Sequence, residues 1–252
     1  MAVITAVRGA LDMTDLGFDR QATTSATPTN IRLTYAPGEY TDFGGAYQFA
    51  GPGQVTGTID TITNVENNKT TFTASDVNAD AQRLFAFIAA GDVGGALAYV
   101  LRDDDQITGG ARNDKLFGYG GEDTLVGGAG RDTLVGGEDK DTLEGGTGAD
   151  IYRYLSDEDS GTRVADRDTI IGFSHAEGDT IDLKGIDANE HTVRNEAFTF
   201  VNAFSGAAGE LMVKSVAGGF LVQGDTDGRA GADFAILVKS VDGPLVATDF
   251  VL

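Results

Sequence analysis

Large apolar side chains recur every nine residues between residues 109 and 153 of this 252-residue chain. Five consecutive copies each carry one, and these are Leu116, Leu125, Leu134, Leu143 and Tyr152. The rest of each copy is rich in glycine, which turns tightly at little steric cost. A short, fixed period is typical of a solenoid. The pattern therefore predicts very short strands, each with one inward side chain, joined by glycine turns.

An aspartate stands two residues before the apolar residue in every copy. These aspartates are Asp114, Asp123, Asp132, Asp141 and Asp150. We expect two copies to form one coil, so that the first, third and fifth aspartates share one edge and the second and fourth share the other. Strands about 4.8 Å apart would make neighbouring carboxylates repel by roughly 3 kcal/mol at an effective dielectric near 20. The repeats therefore predict that a hard divalent cation with oxygen ligands, such as calcium, lies between the carboxylates. They do not fit a flexible glycine-rich linker, which has no reason to keep an apolar residue two positions after every aspartate.

The chain before the repeats has different patterns. Apolar and polar residues alternate between residues 30 and 74, which predicts a small antiparallel β unit. We expect Asp76 to cap a helix, and its apolar stripe is Leu84, Phe85, Phe87 and Ile88. A second short helix is expected to start after Asp92 and to end near Leu101. These helices would cover the open end of the solenoid, which otherwise exposes unpaired strand edges.

Composition narrows the choice of partners. The formal charge is −21, from 39 acidic and 18 basic residues, so nucleic acid and anionic membrane surfaces would repel the chain. There is no cysteine, and disulfides therefore cannot stabilise the fold. No stretch approaches the roughly 18 apolar residues of a membrane span. We expect neither a nucleic-acid partner nor a membrane-spanning segment.

Catalytic motifs are not found. The chain has two histidines, His175 and His191, and neither lies in a His-Glu-x-x-His zinc motif. Ser174 and His175 are neighbours in an expected turn, which does not favour a nucleophile–base pair. No catalytic residue is therefore assigned, and we expect a protein that is not an enzyme.

A second acidic segment follows near the carboxyl end. Residues 220–223 and 234–238 predict a hairpin, and its turn contains Asp225 and Asp227, with Asp233 just beyond. The turn begins like an EF-hand calcium loop, but the residues at the third and closing ligand positions, Arg229 and Ile236, do not suit calcium. We read it as an exposed acidic turn and leave calcium binding there open.

The nonapeptides resemble the RTX, or hemolysin-type, calcium-binding repeats of secreted bacterial proteins. Residues 148–252 resemble the C-terminal domain of serralysin-type metalloproteases. The stretches that carry this second resemblance are 148–150, 168–173, 178–183, 198–206, 208–211, 223–228 and 232–234. The resemblance implies a mainly β chain built on a right-handed parallel β-roll. It also implies three parts, namely an N-terminal β unit with capping helices (1–104), the roll (105–155) and a C-terminal β domain with a secretion signal (156–252).

The resemblance further implies which residues hold calcium. In the family, carbonyls of one loop and carbonyls plus the aspartate of the loop two copies later hold each ion, which gives three or more ions here. The first set is Gly109, Ala111, Asn113, Gly127, Gly128, Gly130 and Asp132. The second set is Gly118, Gly120, Glu122, Gly136, Gly137, Asp139 and Asp141. The third set is Gly127, Ala129, Arg131, Gly145, Gly146, Gly148 and Asp150, and the aspartates of the first two copies, Asp114 and Asp123, are also candidates.

Three positions depart from the repeat, and they are Arg112, Tyr119 and Asp139. Asp139 and Tyr119 replace glycines of the pattern, and aspartate tolerates left-handed backbone better than most residues. The second site is therefore expected to be weakened rather than lost. Asp105-Gln-Ile-Thr resembles the end of a degenerate earlier copy, so that the roll would begin near Asp104.

These features predict a calcium-binding protein secreted by a Gram-negative bacterium. The first thirty residues lack a cleavable leader, and Asp249–Leu252 resembles the terminus of type I secretion substrates. We expect calcium to fold the roll outside the cell, where the calcium concentration reaches the dissociation constants of about 10⁻⁴–10⁻³ M that are usual for extracellular modules. We expect a role in contacts at the cell surface or in the matrix, with a glycan or protein partner. The alternatives are a secreted enzyme with its active site in residues 1–104 and a calcium-dependent polysaccharide-binding module like the accessory rolls of alginate epimerases.

Overall fold

A computed structural model describes residues 3–6, 23–27, 30–36, 39–51, 54–66, 69–80, 83–84, 86, 93–229 and 231–252. The strands of the N-terminal part are β1 (Val3–Ala6), β2 (Thr23–Thr27), β3 (Asn30–Ala36), β4 (Glu39–Gly51), β5 (Gln54–Glu66) and β6 (Lys69–Asp80). Strands β2 to β6 form an antiparallel meander in chain order, and β1 lies antiparallel beside β6. The antiparallel β unit predicted for residues 30–74 is confirmed.

The two predicted helices have different outcomes. Helix α1 (Val93–Val100) is confirmed, and it buries Leu97 and Val100 at the start of the roll. The assignment of Asp76 as a helix cap is wrong, because β6 continues to Asp80 with alternate residues buried. The Asp80 carboxylate instead accepts the Arg83 N–H at 2.8 Å, as an N-capping aspartate does. Leu84 is helical and buried, whereas Phe85, Phe87 and Ile88 lie outside the described residues.

The repeats fold into a two-layered roll of short parallel strands. Its strands are β7 (Gln106–Thr108), β8 (Lys115–Gly120), β9 (Thr124–Ala129), β10 (Thr133–Glu138), β11 (Thr142–Thr147) and β12 (Ile151–Arg153). Strands β7, β9 and β11 pair in one layer, and β8, β10 and β12 pair in the other. Leu116 pairs with Leu134 and Leu125 with Leu143, so each coil takes eighteen residues. The repeated apolar side chains are fully buried between the layers.

The ladders of the roll continue beyond the repeats. The remaining strands are β13 (Thr169–Ile171), β14 (Thr180–Asp182), β15 (Thr199–Phe200), β16 (Glu210–Val216), β17 (Gly219–Asp225), β18 (Phe234–Lys239) and β19 (Phe250–Val251). Strand β13 lies between β11 and β18, and β14 lies between β12 and β19. The predicted hairpin is confirmed as antiparallel β17 and β18.

Within the described residues the strands form two sheets. One has fourteen strands in the order β15-β16-β17-β18-β13-β11-β9-β7-β1-β6-β5-β4-β3-β2, and the other has five in the order β19-β14-β12-β10-β8. Strand pairing crosses both of the predicted boundaries, through β1–β7 and through β12–β14. The division into three parts therefore stays a prediction. None of the described helices has the length and hydropathy required to cross a lipid bilayer.

We expect Leu134→Ala to lower the free energy of unfolding of the calcium-saturated chain by about 2–5 kcal/mol, because it leaves a cavity in a core of one side chain per strand. Urea unfolding followed by circular dichroism measures the change. Leu155→Ala is the matched control, since Leu155 is 52% exposed and its truncation should change stability by less than about 0.5 kcal/mol. Equal effects of the two substitutions would contradict the assigned core.

Candidate metal centre

The aspartates of the repeats are buried one above another along the two edges of the roll. One carboxylate oxygen of each later aspartate accepts the backbone N–H of the aspartate eighteen residues earlier. The Asp114 N–H donates to Asp132 Oδ1 and the Asp132 N–H to Asp150 Oδ1, both at 2.8 Å. On the opposite edge the Asp123 N–H donates to Asp141 Oδ1 at 2.8 Å. The predicted stacking of every second copy is confirmed.

The second carboxylate oxygen, Oδ2, has no such partner. It is buried and lacks a hydrogen bond in Asp123, Asp132, Asp141 and Asp150. A buried carboxylate oxygen without a partner is costly unless a cation or proton neutralises it. Each of these oxygens therefore marks a position where a ligand of positive charge fits.

The first glycine of each copy leaves room beside that oxygen. A Cβ atom on Gly127 would lie 2.5 Å from both Asp132 Oδ2 and the Gly145 carbonyl oxygen. The same arrangement is found at Gly118, beside Asp123 Oδ2 and the Gly136 carbonyl. Only glycine keeps this space open between a carboxylate and a carbonyl of the following coil. The all-oxygen donor set is the one that calcium prefers, so the residues fit the ion that the sequence predicts.

The loop pairs assigned to the three predicted sites lie against each other. Gly128 and Gly130 lie on Gly110 and Arg112, and the Arg131 N–H donates to Asn113 Oδ1 at 2.9 Å. Gly137 lies on Tyr119 in the second pair, and Gly146 and Gly148 lie on Gly128 and Gly130 in the third. The predicted carbonyl donors lie in the turns and at the carboxyl ends of β8 to β11. Their assignment as individual calcium ligands stays a prediction.

Two of the departures from the repeat adopt the backbone that glycine would adopt. Tyr119 has φ 77° and Asp139 has φ 75°, in the left-handed region. Asp139 thus takes the conformation expected from the sequence, with the small cost that aspartate tolerates there. Tyr119 packs its ring 5.9 Å from that of Phe117, centroid to centroid.

Burial raises the pKa of the stacked carboxyls. The pKa of Asp123 rises to about 8 through burial, with the Asp141 charge adding to it. The pKa of Asp141 rises to about 9 through burial and the Asp168 charge. Burial likewise raises the pKa of Asp132 to about 6, where the Asp114 N–H opposes the shift. At neutral pH without metal, Asp123 and Asp141 therefore favour a proton over a free negative charge.

The same arrangement extends past both ends of the repeats. Asp168 Oδ1 accepts the Asp141 N–H and Asp179 Oδ1 accepts the Asp150 N–H, both at 2.9 Å. Sequence reasoning missed these two aspartates as members of the ladders, because they follow their partners by 27 and 29 residues instead of 18. The signal was present, since both begin an Asp-Thr-Ile tripeptide that matches the Asp-Thr-Leu of the repeats. At the other end, the Asp105 N–H donates to Asp123 Oδ1 at 2.7 Å, which confirms the degenerate first copy.

With this geometry established, comparisons identify the family. A family model described as Peptidase M10 serralysin C terminal matches residues 68–252. The chain belongs to this family. RTX repeats of the serralysin C-terminal family bind calcium in general, and its members are typically secreted.

Two solved structures are similar over part of the chain. They are the AlgE6R3 and AlgE6R2 subunits of the mannuronan C5-epimerase from Azotobacter vinelandii, at 27% and 28% sequence identity. Each covers 60% of this chain, the matches cover 78% and 88% of the two subunits, and both TM-scores are 0.45. No curated protein sequence matches the chain.

We expect Gly127→Ala to raise the calcium concentration needed for half-maximal folding by about tenfold or more, which corresponds to about 1.4 kcal/mol. The added methyl group would occupy the space beside Asp132 Oδ2. Calcium titration followed by far-ultraviolet circular dichroism measures the midpoint. Gly243→Ala is the control, because a Cβ atom there meets nothing within 4 Å. An unchanged midpoint for Gly127→Ala would show that this space is not used.

The roll is expected to be open without calcium at neutral pH, and in metal-stripped buffer we expect the stability that remains to be greatest near pH 5 and to fall as the pH rises to about 8. Folded Asp123 and Asp141 keep their protons up to a pKa of about 8 and about 9, whereas an unfolded aspartate loses its proton near pH 4. The folded state therefore binds more protons in this range, and stability must decrease with pH. Urea unfolding at stepped pH values measures the slope, and Asp141→Asn should flatten it. A slope of zero or of opposite sign in the metal-free chain would contradict the burial of these carboxyls.

Proposed function

We propose that this chain is a secreted calcium-binding protein whose roll folds when it binds calcium outside the cell. The observation that supports this most directly is the row of buried aspartate oxygens without hydrogen-bond partners on each edge of the roll. Asp132 and Asp150 on one edge and Asp123 and Asp141 on the other would hold the ions, together with loop carbonyls. Asp168 and Asp179 extend the rows. Three or more ions are therefore proposed.

Bound calcium supplies the positive charge that allows these carboxylates to ionise while buried. The protein then gains stability through packing. Each pair of loops that is ordered around an ion aligns two short strands and places one apolar side chain in the core. Metal binding of this kind adds its free energy to folding, because the site does not exist in the unfolded chain. A roll with dissociation constants of about 10⁻⁴–10⁻³ M would stay open in the cytosol and close outside.

We propose that a type I secretion apparatus exports the chain and recognises the segment Asp249–Leu252. In the folded chain this segment is part of the roll, since Phe250 and Val251 form β19 and the Leu183 N–H donates to the Val251 carbonyl at 2.9 Å. Asp249 is also buried, at 3% exposure. A signal in this position has to be read before the roll folds. Export of the unfolded chain and folding by external calcium therefore support each other.

We further propose a non-enzymatic role in contacts at the cell surface or in the matrix, with a glycan or protein partner. The non-enzymatic part of this proposal is supported by the two histidines, because each side chain is held by an oxygen atom of the protein itself. His175 Nδ1 lies 2.5 Å from Asp249 Oδ1, and His191 Nε2 lies 2.7 Å from the Asp227 carbonyl oxygen. Ser174 Oγ lies 3.3 Å from Asp242 Oδ2 and thus bonds to a carboxylate rather than to the histidine beside it. The enzyme and polysaccharide-binding alternatives stay predictions.

Calcium titration of the purified chain tests this function. We expect β structure and protease resistance to increase between about 10⁻⁴ and 10⁻³ M calcium. Asp132→Asn should shift the midpoint upward by about tenfold or more, because it removes one charge from two neighbouring loops. Asp60→Asn is the control, since Asp60 lies exposed in β5, outside the roll. A chain that is fully ordered in excess chelator and unaffected by calcium would refute the proposal.

A further inference from the structure

Three carboxylates outside the repeats come together at the β17–β18 hairpin. Asp227 and Asp233 belong to the hairpin loop, and Glu190 comes from the turn that follows Ile186. One oxygen atom of each side chain lies within 4.8 Å of the other two. The Glu190 N–H donates to the Thr226 carbonyl at 3.3 Å, which holds the turn against the loop. This hairpin cluster, defined as Glu190, Asp227 and Asp233, shares no residue with the roll.

Asp225 has an unpartnered carboxylate oxygen at the start of the same loop. The residue is fully buried, so the exposed turn expected from the sequence is wrong for this position. Its Oδ1 accepts the Gly228 N–H at 2.7 Å, within the loop, whereas Oδ2 is buried without a hydrogen bond. Asp225 directly precedes Thr226, whose N–H donates to Asp233 Oδ2 at 2.7 Å, so the buried carboxyl group of Asp225 lies at the base of the same loop. An unpartnered Oδ2 beside neighbouring oxygens is also the feature of the repeat aspartates.

A buried hydroxyl group does not relieve this crowding. Thr226 Oγ1 lies 3.1 Å from Asp233 Oδ2, 3.2 Å from Glu190 Oε1 and 3.4 Å from Asp157 Oδ2. A hydroxyl group has one proton to donate, so it satisfies one of the three carboxylates. Two backbone N–H groups also donate to Asp233 Oδ2, and Arg229 pairs with Asp227, so a cation would neutralise the charge that these contacts leave on the cluster.

We propose that Glu190, Asp227 and Asp233, with Asp225 behind them, form a calcium-type cation site separate from the repeats. Calcium–oxygen bonds of about 2.3–2.6 Å let one ion bridge oxygens up to about 5 Å apart, which covers the spacing of the cluster. The donor set is all oxygen, since His191 Nε2 faces the Asp227 carbonyl and is taken up by that bond. An all-oxygen set favours a hard cation such as calcium over zinc.

One basic side chain competes with the cation. Arg229 Nη1 lies 3.2 Å from Asp227 Oδ2, but the arginine side chain is 86% exposed. An exposed ion pair of this kind contributes little, because solvent screens it. It pairs with Asp227 alone and leaves Glu190, Asp233 and Asp225 without a basic partner among the described ion pairs. Calcium can displace Arg229 into solvent.

The site would join two segments that are far apart in the sequence. The turn of residues 187–190 precedes β15 and β16, whereas the loop lies between β17 and β18. A cation between them would fix the covering turn on the hairpin at the end of the fourteen-stranded sheet. Calcium would thus order the C-terminal part directly as well as through the roll.

Calcium stoichiometry of the full chain tests the site. Equilibrium dialysis with ⁴⁵Ca²⁺ should show one ion fewer for Glu190→Gln/Asp233→Asn than for the unchanged chain, with the folding midpoint of the roll unaltered. The amide that Asp233→Asn introduces retains an oxygen to accept the N–H groups of Thr226 and Asp227, now held by Asp233 Oδ2 at 2.7 and 3.2 Å. Asp60→Asn/Glu144→Gln is the control, because it removes two exposed charges elsewhere and should keep every ion. Equal stoichiometry for the double variant and its control would overturn the proposal.

Diffraction gives an independent answer that does not depend on the folding of the double variant. Crystals of the unchanged chain soaked in TbCl₃ should show an anomalous peak between Glu190, Asp227 and Asp233, and crystals of the single variant Glu190→Gln, whose side chain is exposed, should show it reduced or lost. Peaks in the roll without one at the hairpin would overturn the site and leave the proposed function intact. A peak at the hairpin without any in the roll would do the reverse.

Discussion

Every coil of the roll depends on an aspartate that uses one oxygen for the backbone and leaves the other to be neutralised. The bond from an aspartate N–H to the next carboxylate measures 2.8 Å along both edges. A hydrogen bond to a charged group contributes about 1.5–3 kcal/mol, which is similar to the roughly 3 kcal/mol repulsion between neighbouring charges. The hydrogen bonds between the aspartates therefore only roughly offset the repulsion between their charges. The ionic state of the second oxygen then decides whether the coils close.

The apolar core of the roll cannot compensate for a failure of that neutralisation. Each coil contributes one large side chain from each of its two strands, such as Leu134 from β10 and Leu143 from β11. Each leucine follows its aspartate by two residues, so displacement of the carboxylate moves the core side chain with it. Electrostatics and packing are therefore coupled within every copy. This coupling makes a cooperative transition in calcium more consistent with the structure than a gradual one.

The sequence was most informative where its period was kept. Constant spacing was enough to predict the paired layers, the eighteen-residue coil and the two edges of aspartates. It failed at Asp168 and Asp179, because inserted loops stretch the separation to 27 and 29 residues while the ladder bond is kept at 2.9 Å. Asp76 was misread for a different reason, since pairing with β5 extends β6 to Asp80 against the local helix signal. In the hairpin cluster the sequence pointed to Asp227 and Asp233 but not to Glu190, because Glu190 reaches them only through the topology.

The order of strands makes the position of the hairpin cluster depend on the roll, but not the position of the roll on the hairpin cluster. Strand β13 joins β11 of the roll to β18 of the hairpin, and Asp233 immediately precedes β18. Ordering of the roll therefore provides the edge on which β18 pairs and brings Asp233 into position. The hairpin cluster lies outside the repeat loops, so its neutralisation would stabilise the end of the sheet that contains β17 and β18 without closing the coils. We therefore expect folding to start in the repeats and to end at the hairpin, with strand β19 added to the other sheet beside β14.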